Sequence, residues 1–452
     1  MFSVADLFVI SLVFVSTQCG PSVHNPFYCH SEDPFRQWTL LGGTTSPYEA
    51  MRGQFNANAS TCTPAKLWLL ARHGERYPFI EELPELRRVS NEIHGQILVN
   101  YNRGKTSLCA SDFELLKNWS FPDITDDLAD HLLPLGWNNF YELAQRFQAA
   151  FPTILPSTYS PRDFFFQPSN HARHRQSLEA FADGLFGVNA HEQVVFQETP
   201  NPDVYMRPWG SCDPFLEMLE MDGLSERNAF EDGPEYQEMV VQVSAKLGLH
   251  HSNVLRNSDL HQLAYYCKYE QFLRSNFTEP PKFCAAFSVG NVQVIEYAND
   301  IEWQDRVGSG LPQHRQLKEN LMCFTLQDML RFIQSNDEND HKVRMFCGHA
   351  TQFLFLLPFG AFDADPLLTR HNFAQQTERA FKTSYMLGMG SNLAIIRFDC
   401  ADGDNDLLFL LNERPVQIPG CDLNGVCKQS LIMQRLEKYL NGNCWEIFCS
   451  NS

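Results

Sequence analysis

The chain has 452 residues, with 35 Lys or Arg against 54 Asp or Glu, so its formal net charge is −19. Hydrophobic residues make up 44% and charged residues 20% of the chain, a globular composition that argues against intrinsic disorder. The acidic balance argues against a general nucleic-acid-binding protein, which would carry a basic face. It leaves a polyanionic ligand possible, because net charge does not describe one local pocket.

The first twenty residues have the pattern of a secretory signal peptide, although no charged segment precedes the apolar run. Leu7 to Val15 is apolar apart from one serine, and small and polar residues follow as far as Gly20. The run is too short to span a membrane. We therefore predict a signal peptide at 1–20, no membrane span, and a secreted or lumenal protein of the endoplasmic reticulum or lysosome type. The C-terminus shows no KDEL-like retention signal.

The cysteines agree with a secretory route. Of the fourteen, thirteen remain beyond the signal peptide, which predicts several disulfides and at least one free thiol. Cys421 with Cys427, and Cys444 with Cys449, are close enough in sequence for local bridges, although spacing alone does not give the pairing. Cys347 lies in an apolar run and is the candidate for a buried free thiol. Three sequons predict a glycoprotein: Asn58, Asn118 and Asn276.

Three short apolar segments predict buried strands, each followed by polar residues. The first is KLWLLA at 66–71, which ends at the polar segment Arg72 to Arg76. The second is RDFFFQ at 162–167, followed by a turn and an amphipathic helix. The third is Val343 to Cys347, which breaks at Gly348. The apolar positions of the amphipathic helix have helical spacing: Leu178, Phe181, Ala182 and Leu185.

The middle of the chain has a different pattern. Segments such as PEYQEMVVQVSAKLGL and SDLHQLAYYCKYEQFL have helical spacing and few strand signals. Towards the C-terminus, NLAIIRFDC and LLFLLNE flank a polar turn, which predicts a β-hairpin. We therefore predict an α/β fold, with a core formed by 21–204 and 321–452 and a mainly α-helical insertion domain at 205–320.

The most informative motif is RHGERYP, Arg72 to Pro78, directly after the first predicted strand. The imidazole of His73 can attack phosphorus and form a phosphohistidine, and guanidinium groups bind phosphate oxygens through paired hydrogen bonds. Arg72 and Arg76 therefore flank a nucleophile with anion-binding groups. A basic surface turn would be the better interpretation of an Arg-His pair alone, but Gly74 and Pro78 after an apolar strand make the motif more specific.

RHGERYP resembles RHGxRxP, the signature of the histidine acid phosphatases, which include phytases and lysosomal-type acid phosphatases. Gly348-His349-Ala350 resembles the second signature of that family. Arg173, with Ser177 four residues later, fits the spacing of the third arginine of the family, whereas Arg175 lacks that serine. Longer segments, including GGTTSPYEA, GPEYQEMV and NVQVIEYAND, resemble a lumenal branch of the family, the multiple inositol polyphosphate phosphatases.

The resemblance implies a histidine-phosphatase-like α/β core with an inserted helical domain. It implies that His73 is the nucleophile and that His349 is a second catalytic group that binds phosphate. Arg72, Arg76 and Arg173 would bind the phosphate oxygens and stabilise developing charge. No metal or other cofactor is implied, because these side chains supply the positive charge. The implied substrates are inositol polyphosphates, with bisphosphoglycerate as a second substrate.

One position departs from the family pattern. The branch carries Glu, and its relatives Asp, close after the second histidine to protonate the leaving oxygen, whereas this chain has Thr351. A hydroxyl is a poor acid, and general acid catalysis is worth about 10²–10⁴ in rate. Another carboxylate could substitute, solvent could protonate the leaving group, or the enzyme could be slow or inactive. The nearest downstream carboxylates are Asp363 and Asp365, and for Glu75 in the first motif an exposed or structural role is the favoured interpretation.

Three other clusters have competing interpretations. His171 and His174 could bind zinc, but without CxxC or HExxH they favour pocket lining or surface positions. A calcium-loop-like set has leucine where the loop needs glycine, so a solvated hairpin turn is predicted: Asp402, Asp404, Asp406 and Glu413. A basic group before the hairpin could meet extra substrate phosphates or form an exposed helix face: Arg370, His371, Arg379 and Lys382.

The sequence thus predicts a phosphomonoesterase that acts on inositol polyphosphates through a phosphohistidine. Its partner would be a small phosphorylated substrate rather than nucleic acid. One alternative is a general acid phosphatase of broad specificity with the same site. A second is a catalytically weak, phosphate-binding pseudo-enzyme, suggested by Thr351, although retention of His73 argues against it.

Overall fold

The computed structural model describes residues 28–33, 41–249, 255–273, 281–376 and 379–451. The predicted signal peptide and the sequon at Asn276 lie outside these ranges. Within the described ranges, no helix is long and apolar enough to cross a membrane. The sequon asparagines Asn58 and Asn118 are both exposed, so their side chains are accessible for glycosylation.

A mixed β-sheet forms the centre of the molecule. Its order is β2-β3-β1-β4-β5-β6, and β7 pairs with β5. Strands β1, β2 and β3 are parallel, while β4 is antiparallel to β1 and β5 is antiparallel to β4. The strands are β1 Thr63–Arg72, β2 Phe164–Pro168, β3 Val343–Gly348, β4 Asn392–Asp399, β5 Asp406–Leu411, β6 Arg414–Pro415 and β7 Val426–Lys428. The three predicted strands and the predicted hairpin are therefore confirmed, with shifts of a few residues at their ends.

Helices cover both faces of the sheet and build the rest of the described chain. In chain order they are α1 Tyr48–Met51, α2 Leu83–Val89, α3 Gly95–Asn102, α4 Ala110–Lys117, α5 Pro134–Ala150, α6 Ala172–Phe186, α7 Asp213–Met221, α8 Ser225–Glu231, α9 Pro234–Lys246, α10 Asn257–Tyr269, α11 Val289–Val307, α12 Arg315–Leu321, α13 Cys323–Gln334, α14 Thr383–Met386, α15 Gln429–Arg435, α16 Glu437–Asn441 and α17 Cys444–Ile447. The predicted amphipathic helix is α6, and its four apolar positions are buried.

Strand β1 is apolar on both faces because each face packs against helices. Trp68 and Leu70 belong to the core that includes α13, whereas Leu67, Leu69 and Ala71 belong to the core that includes α5 and α6. Successive side chains of a strand point to opposite faces. A strand covered on both sides therefore appears in the sequence as a continuous apolar run, which is usual in parallel sheets.

A third hydrophobic core lies in the helical part of the molecule. It joins helices of the predicted insertion, such as α9, α10 and α11, with α2, α3 and α4 from an earlier part of the chain. Every regular element described between 205 and 320 is helical. The boundaries at 205 and 320 remain a prediction, and this core also uses residues outside them.

Six disulfides connect twelve of the cysteines: Cys29–Cys109, Cys62–Cys400, Cys212–Cys449, Cys267–Cys284, Cys323–Cys444 and Cys421–Cys427. The local bridge between Cys421 and Cys427 is confirmed, and Cys347 is a free, buried thiol as predicted. The predicted bridge between Cys444 and Cys449 is wrong. Both instead tie the C-terminal segment to distant parts of the chain: Cys444 bonds Cys323 of α13, against which α17 packs, and Cys449 bonds Cys212.

Candidate active site

The three parallel strands end at the same edge of the sheet. Arg72 at the end of β1 is level with Gly348 at the end of β3, and Pro168 ends β2 beside it. His73, His349 and the start of α6 follow these ends directly. Clefts beyond the carboxyl ends of parallel strands are common ligand sites, and the three separate sequence motifs meet at this edge.

A cavity of about 530 Å³ opens at this edge, a size within the range of small-molecule sites. Residues from the ends of β1 and β3 and from α6 form one part of its wall: Arg72, His73, Arg76, Arg173, His349 and Thr351. The helical part of the chain contributes another: Arg227, Tyr236, His261, Tyr265, Lys268 and Trp303. All the site residues predicted from the sequence therefore line one cavity.

Hydrogen bonds fix the orientation of His73. Its backbone N–H donates to Gly348 O at 3.0 Å, which ties it to β3. Its Nδ1 lies 2.8 Å from Gly74 O. Because a carbonyl oxygen can only accept, Nδ1 carries the proton and Nε2 keeps its lone pair. Burial and the neighbouring arginines hold the pKa of His73 well below its usual value. The side chain is thus a neutral imidazole whose Nε2 carries no proton.

Gly74 allows the loop after His73 to pass very close to the start of α5. A Cβ at Gly74 would lie 2.8 Å from the Cα of Gly136, and a Cβ at Gly136 would lie 2.6 Å from the backbone nitrogen of Glu75. Ser177 also holds this loop, because its Oγ accepts the Gly74 N–H at 3.1 Å and donates to Arg173 O at 2.8 Å. The glycine and the serine are therefore needed to place the loop.

Three buried arginines surround His73. Arg72, Arg76 and Arg173 are each less than 10% exposed, and the Nε of each has no hydrogen-bond partner among the described residues. Burial, followed by the charges of the other two, lowers the pKa of Arg72 to about 9. Burial also lowers the pKa of Arg173 to about 10, although Asp130 opposes this effect. Converging cations with unused donors form an anion site.

Arg173 and Arg175 have different environments, although they lie on the same helix. The side chain of Arg173 is 3% exposed and is bonded to Asp130 at the cavity. The side chain of Arg175 is 49% exposed and pairs with Glu179 at 2.8 Å. The choice of Arg173 from the spacing of Ser177 agrees with this arrangement.

His349 is partly buried and directly precedes the 3₁₀ helix Ala350–Phe359. Its Nε2 has no partner among the described residues, and burial with the charge of Arg173 lowers its pKa to about 2. The ring packs edge-on against His174, with centroids 4.4 Å apart, and against His171 at 5.5 Å. Two histidines considered as zinc ligands thus pack beside His349 at the edge of the site.

The burial of His174 predicts how the free energy of unfolding depends on pH. It is fully buried, neither ring nitrogen has a partner in the described structure, and burial holds its pKa well below the ordinary value. As pH falls below about 6.5, the unfolded chain takes up a proton at this side chain that the folded chain does not. This histidine therefore lowers the free energy of unfolding by about 1.4 kcal/mol for each pH unit below that point.

We expect His174→Phe to remove this contribution, so that stability falls less steeply than in the parent protein between about pH 6.5 and about pH 5. Urea unfolding at a series of pH values measures the difference in slope. His371→Gln, at an exposed position outside the cavity, controls for loss of a histidine as such. Parallel stability curves for His174→Phe and the parent would contradict the assignment.

The carboxylates considered as substitutes for an acid at Thr351 lie elsewhere. Glu75 is buried and accepts hydrogen bonds from Tyr48 N at 2.8 Å and from Asn139 Nδ2, so its role is structural. Asp363 pairs with Arg315 at 2.6 Å, and neither it nor Asp365 lines the cavity. Thr351 itself does line it.

Glu82 is a carboxylate of the cavity wall that sequence reasoning missed. Its Oε2 accepts from Phe79 N at 2.7 Å and from Tyr265 OH at 3.1 Å, and it lies 3.7 Å from Arg76 Nη1. These contacts hold the Glu82 carboxylate against the wall of the cavity. No motif marks Glu82, because Tyr265 is 183 residues away in sequence.

The basic group before the hairpin does not line the cavity. Arg379 is almost fully buried and pairs with Asp300 and Glu296, while Arg370 pairs with Glu226 at 2.7 Å. These two arginines therefore bind carboxylates of α8 and α11 and match neither interpretation left open by the sequence. In the calcium-loop-like set, Asp402 and Asp404 lie in the turn before β5, Asp406 begins that strand, and Glu413 is buried and bonds Arg146. The prediction of a hairpin turn is therefore confirmed.

Comparison with known proteins gives the family. The model of the histidine phosphatase superfamily (branch 2) matches residues 65–412. Multiple inositol polyphosphate phosphatase 1 of Drosophila melanogaster is 29% identical over 434 residues, which cover 93% of this chain and 90% of that protein. The Homo sapiens protein of the same name is 27% identical over 410 residues, 83% of this chain and 78% of its own.

Solved structures show the same fold at low sequence identity. The phytase from D. castellii superposes with a TM-score of 0.67 and 16% identity, covering 92% of this chain and 88% of that one. Multiple inositol polyphosphate phosphatase of Bifidobacterium longum, in complex with inositol hexasulfate, gives 0.61 and 11%, covering 89% and 97%. With the family model spanning most of the sequence, this chain belongs to branch 2 of the histidine phosphatase superfamily.

Proposed function

We propose that this protein is a phosphomonoesterase that hydrolyses inositol polyphosphates through a phosphohistidine at His73. The observation that carries the proposal is a neutral His73, with no proton on Nε2, surrounded by three buried arginines at the sheet edge. The relatives named multiple inositol polyphosphate phosphatase support the substrate class, because they match this chain over most of its length.

In the proposed mechanism, Arg72, Arg76 and Arg173 bind the oxygens of the phosphate group that is transferred. Nε2 of His73 attacks phosphorus, so that an N–P bond forms while the bond to the ester oxygen breaks. The arginines and the partnerless Nε2 side of His349 stabilise the charge on the phosphoryl oxygens. Water then attacks the phosphohistidine, the N–P bond breaks, and inorganic phosphate and neutral His73 are regenerated.

Protonation of the leaving oxygen is the weak step of this mechanism. Thr351 lines the cavity where the family pattern has an acid, and Glu82 is engaged by Arg76 and Tyr265. The cavity is open to solvent, so water supplies the proton. The rate should therefore depend strongly on how well the leaving oxygen tolerates negative charge.

We also infer that the protein works in a secretory compartment or outside the cell. Six disulfides link the described part of the chain, and structural disulfides are typical of oxidising compartments. The exposed sequons at Asn58 and Asn118 are consistent with that route.

Release of inorganic phosphate from inositol hexakisphosphate by the purified protein, from acidic to neutral pH, tests the proposed function. We expect kcat/KM to exceed that for simple alkyl phosphates, whose leaving oxygens are similar. Similar values for both substrates would favour the general acid phosphatase. Binding of inositol hexakisphosphate without phosphate release would favour the pseudo-enzyme.

Arg173 and Arg175 form a matched pair for testing the phosphate site. We expect Arg173→Ala to lower kcat/KM by about 10²–10³, because a buried donor to the transferred phosphoryl group is lost. Arg175→Ala should stay within about twofold of the parent, because that side chain points to solvent. Steady-state kinetics on inositol hexakisphosphate measure both variants. Equal losses in both would contradict the assignment of Arg173.

A further inference from the structure

One cation of the cavity wall lacks a counter-ion among the described residues, and it belongs to the helical part of the chain. Lys268 of α10 lines the cavity, and within the described ranges its Nζ has neither an ion-pair partner nor a hydrogen-bond acceptor. The other basic groups of this wall are engaged. Arg227 pairs with Glu231 and Glu302, and His261 lies 3.0 Å from Glu231 Oε1.

The two carboxylates that raise the pKa of Lys268 form ion pairs with a different residue. Glu296 and Asp300 of α11 both pair with Arg379. Burial is the main influence on Lys268 and lowers its pKa to about 8, with Arg227 acting in the same direction. Lys268 therefore stays protonated from acidic to neutral pH while lacking a counter-ion.

A cation that lines a cavity without a counter-ion can form a charge-assisted hydrogen bond with an anionic group of a ligand. The cavity that Lys268 lines also contains the arginines of the phosphate site. It has room for more than one phosphate group, since its volume of about 530 Å³ is typical of sites for whole small molecules. Lys268 belongs to the helical part of the chain, whereas the arginines follow β1 or lie on α6.

We propose that Lys268 binds a second phosphate group of the substrate, one that is not being hydrolysed, and so selects substrates with several phosphates. This inference rests on the proposed function, because it assigns a specificity residue to the same site. The contact is made to a group remote from the reacting phosphorus. It should therefore act on binding of a polyphosphate in the ground state and the transition state alike, and leave simple monoesters unaffected.

Lys268→Met tests this in the active protein, because methionine keeps a long side chain and removes the charge. We expect KM for inositol hexakisphosphate to rise about tenfold, with kcat within about twofold, as one charged hydrogen bond is lost. The kcat/KM for p-nitrophenyl phosphate, which has one phosphate, should not change. The matched control is Lys117→Met, at an exposed lysine outside the cavity. An equal loss on both substrates, or no change on either, would overturn the proposal.

A binding measurement separates this inference from the proposed function. In a His73→Ala background, which cannot form the phosphohistidine, calorimetry with inositol hexakisphosphate should show about tenfold weaker binding when Lys268→Met is added. The affinity for inorganic phosphate should stay the same. Thermal unfolding without ligand should show equal or greater stability, since an unpaired cation is removed, so misfolding can be distinguished from loss of a contact.

The outcomes are distinguishable. Weaker binding on loss of Lys268, in a protein whose parent does not hydrolyse inositol hexakisphosphate, would support the second phosphate contact and overturn the proposed function. Hydrolysis that does not depend on Lys268 would support the proposed function and overturn the second phosphate contact. No binding of inositol hexakisphosphate to the His73→Ala protein would overturn the role of Lys268.

Discussion

Replacing His73 with alanine is expected to lower kcat on inositol hexakisphosphate by roughly 10⁴–10⁶. The covalent route needs a nitrogen lone pair directed at phosphorus, and the hydrogen bond from Nδ1 to Gly74 O leaves that lone pair on Nε2. Alanine removes the nucleophile but leaves the three arginines of the phosphate site. Phosphate should therefore still bind, as competition by inorganic phosphate or calorimetry would show, while turnover is lost.

A second readout is the phosphate attached to the protein after rapid quenching, separated into acid-stable and acid-labile forms. Phosphohistidine is a phosphoramidate and is labile to acid, so the parent protein should carry acid-labile phosphate during turnover and His73→Ala should carry none. Arg175→Ala is the control, because its side chain is exposed and outside the cavity. Turnover by His73→Ala close to that of the parent would show that another group, or water, attacks phosphorus.

Introducing an acid at position 351 should raise the rate of hydrolysis, in contrast to the loss expected for His73→Ala. We expect Thr351→Glu to raise kcat on inositol hexakisphosphate by about 10², because a cavity-lining carboxylic acid could protonate the leaving alkoxide. The gain should be largest at acidic pH, where the carboxyl group is protonated, and should fade as pH rises through its pKa. Initial rates across pH measure this change of profile.

Thr351→Gln is the matched control, since glutamine has the size of glutamate but no acidic proton. It should show no gain at any pH. Hydrolysis of p-nitrophenyl phosphate should respond little to Thr351→Glu, because its leaving oxygen departs without a proton. Equal rates for the Glu and Gln variants on inositol hexakisphosphate would indicate that position 351 does not face the leaving group, or that the proton comes from elsewhere.

Local sequence was sufficient for the elements whose pattern depends on near neighbours. The apolar run at 66–71 predicted β1, because a strand covered on both faces has no polar positions to alternate with. RHGERYP predicted an anion site with a nucleophile, because its side chains and the close approach of Gly74 to Gly136 belong to one turn after that strand. The spacing from Arg173 to Ser177 pointed to the arginine that lines the cavity, because one turn of helix joins the two residues.

The tertiary structure decided every feature that joins distant segments. Cys444 pairs with Cys323 rather than with the nearby Cys449, because helix packing brings together residues 121 positions apart. Arg379, which the sequence offered as a phosphate ligand, is bound by carboxylates of α11.

The part of the cavity wall that the sequence motifs do not supply also depends on contacts between distant segments. Glu82 and Lys268 became parts of its wall only because the helical part of the chain packs beside the sheet edge. The sequence by itself indicated the candidate nucleophile, the candidate phosphate-binding arginines and the positions of the main strands along the chain. Only the fold determined which charges are neutralised and which remain free for a ligand, because an ion pair depends on distances in space that sequence spacing does not encode.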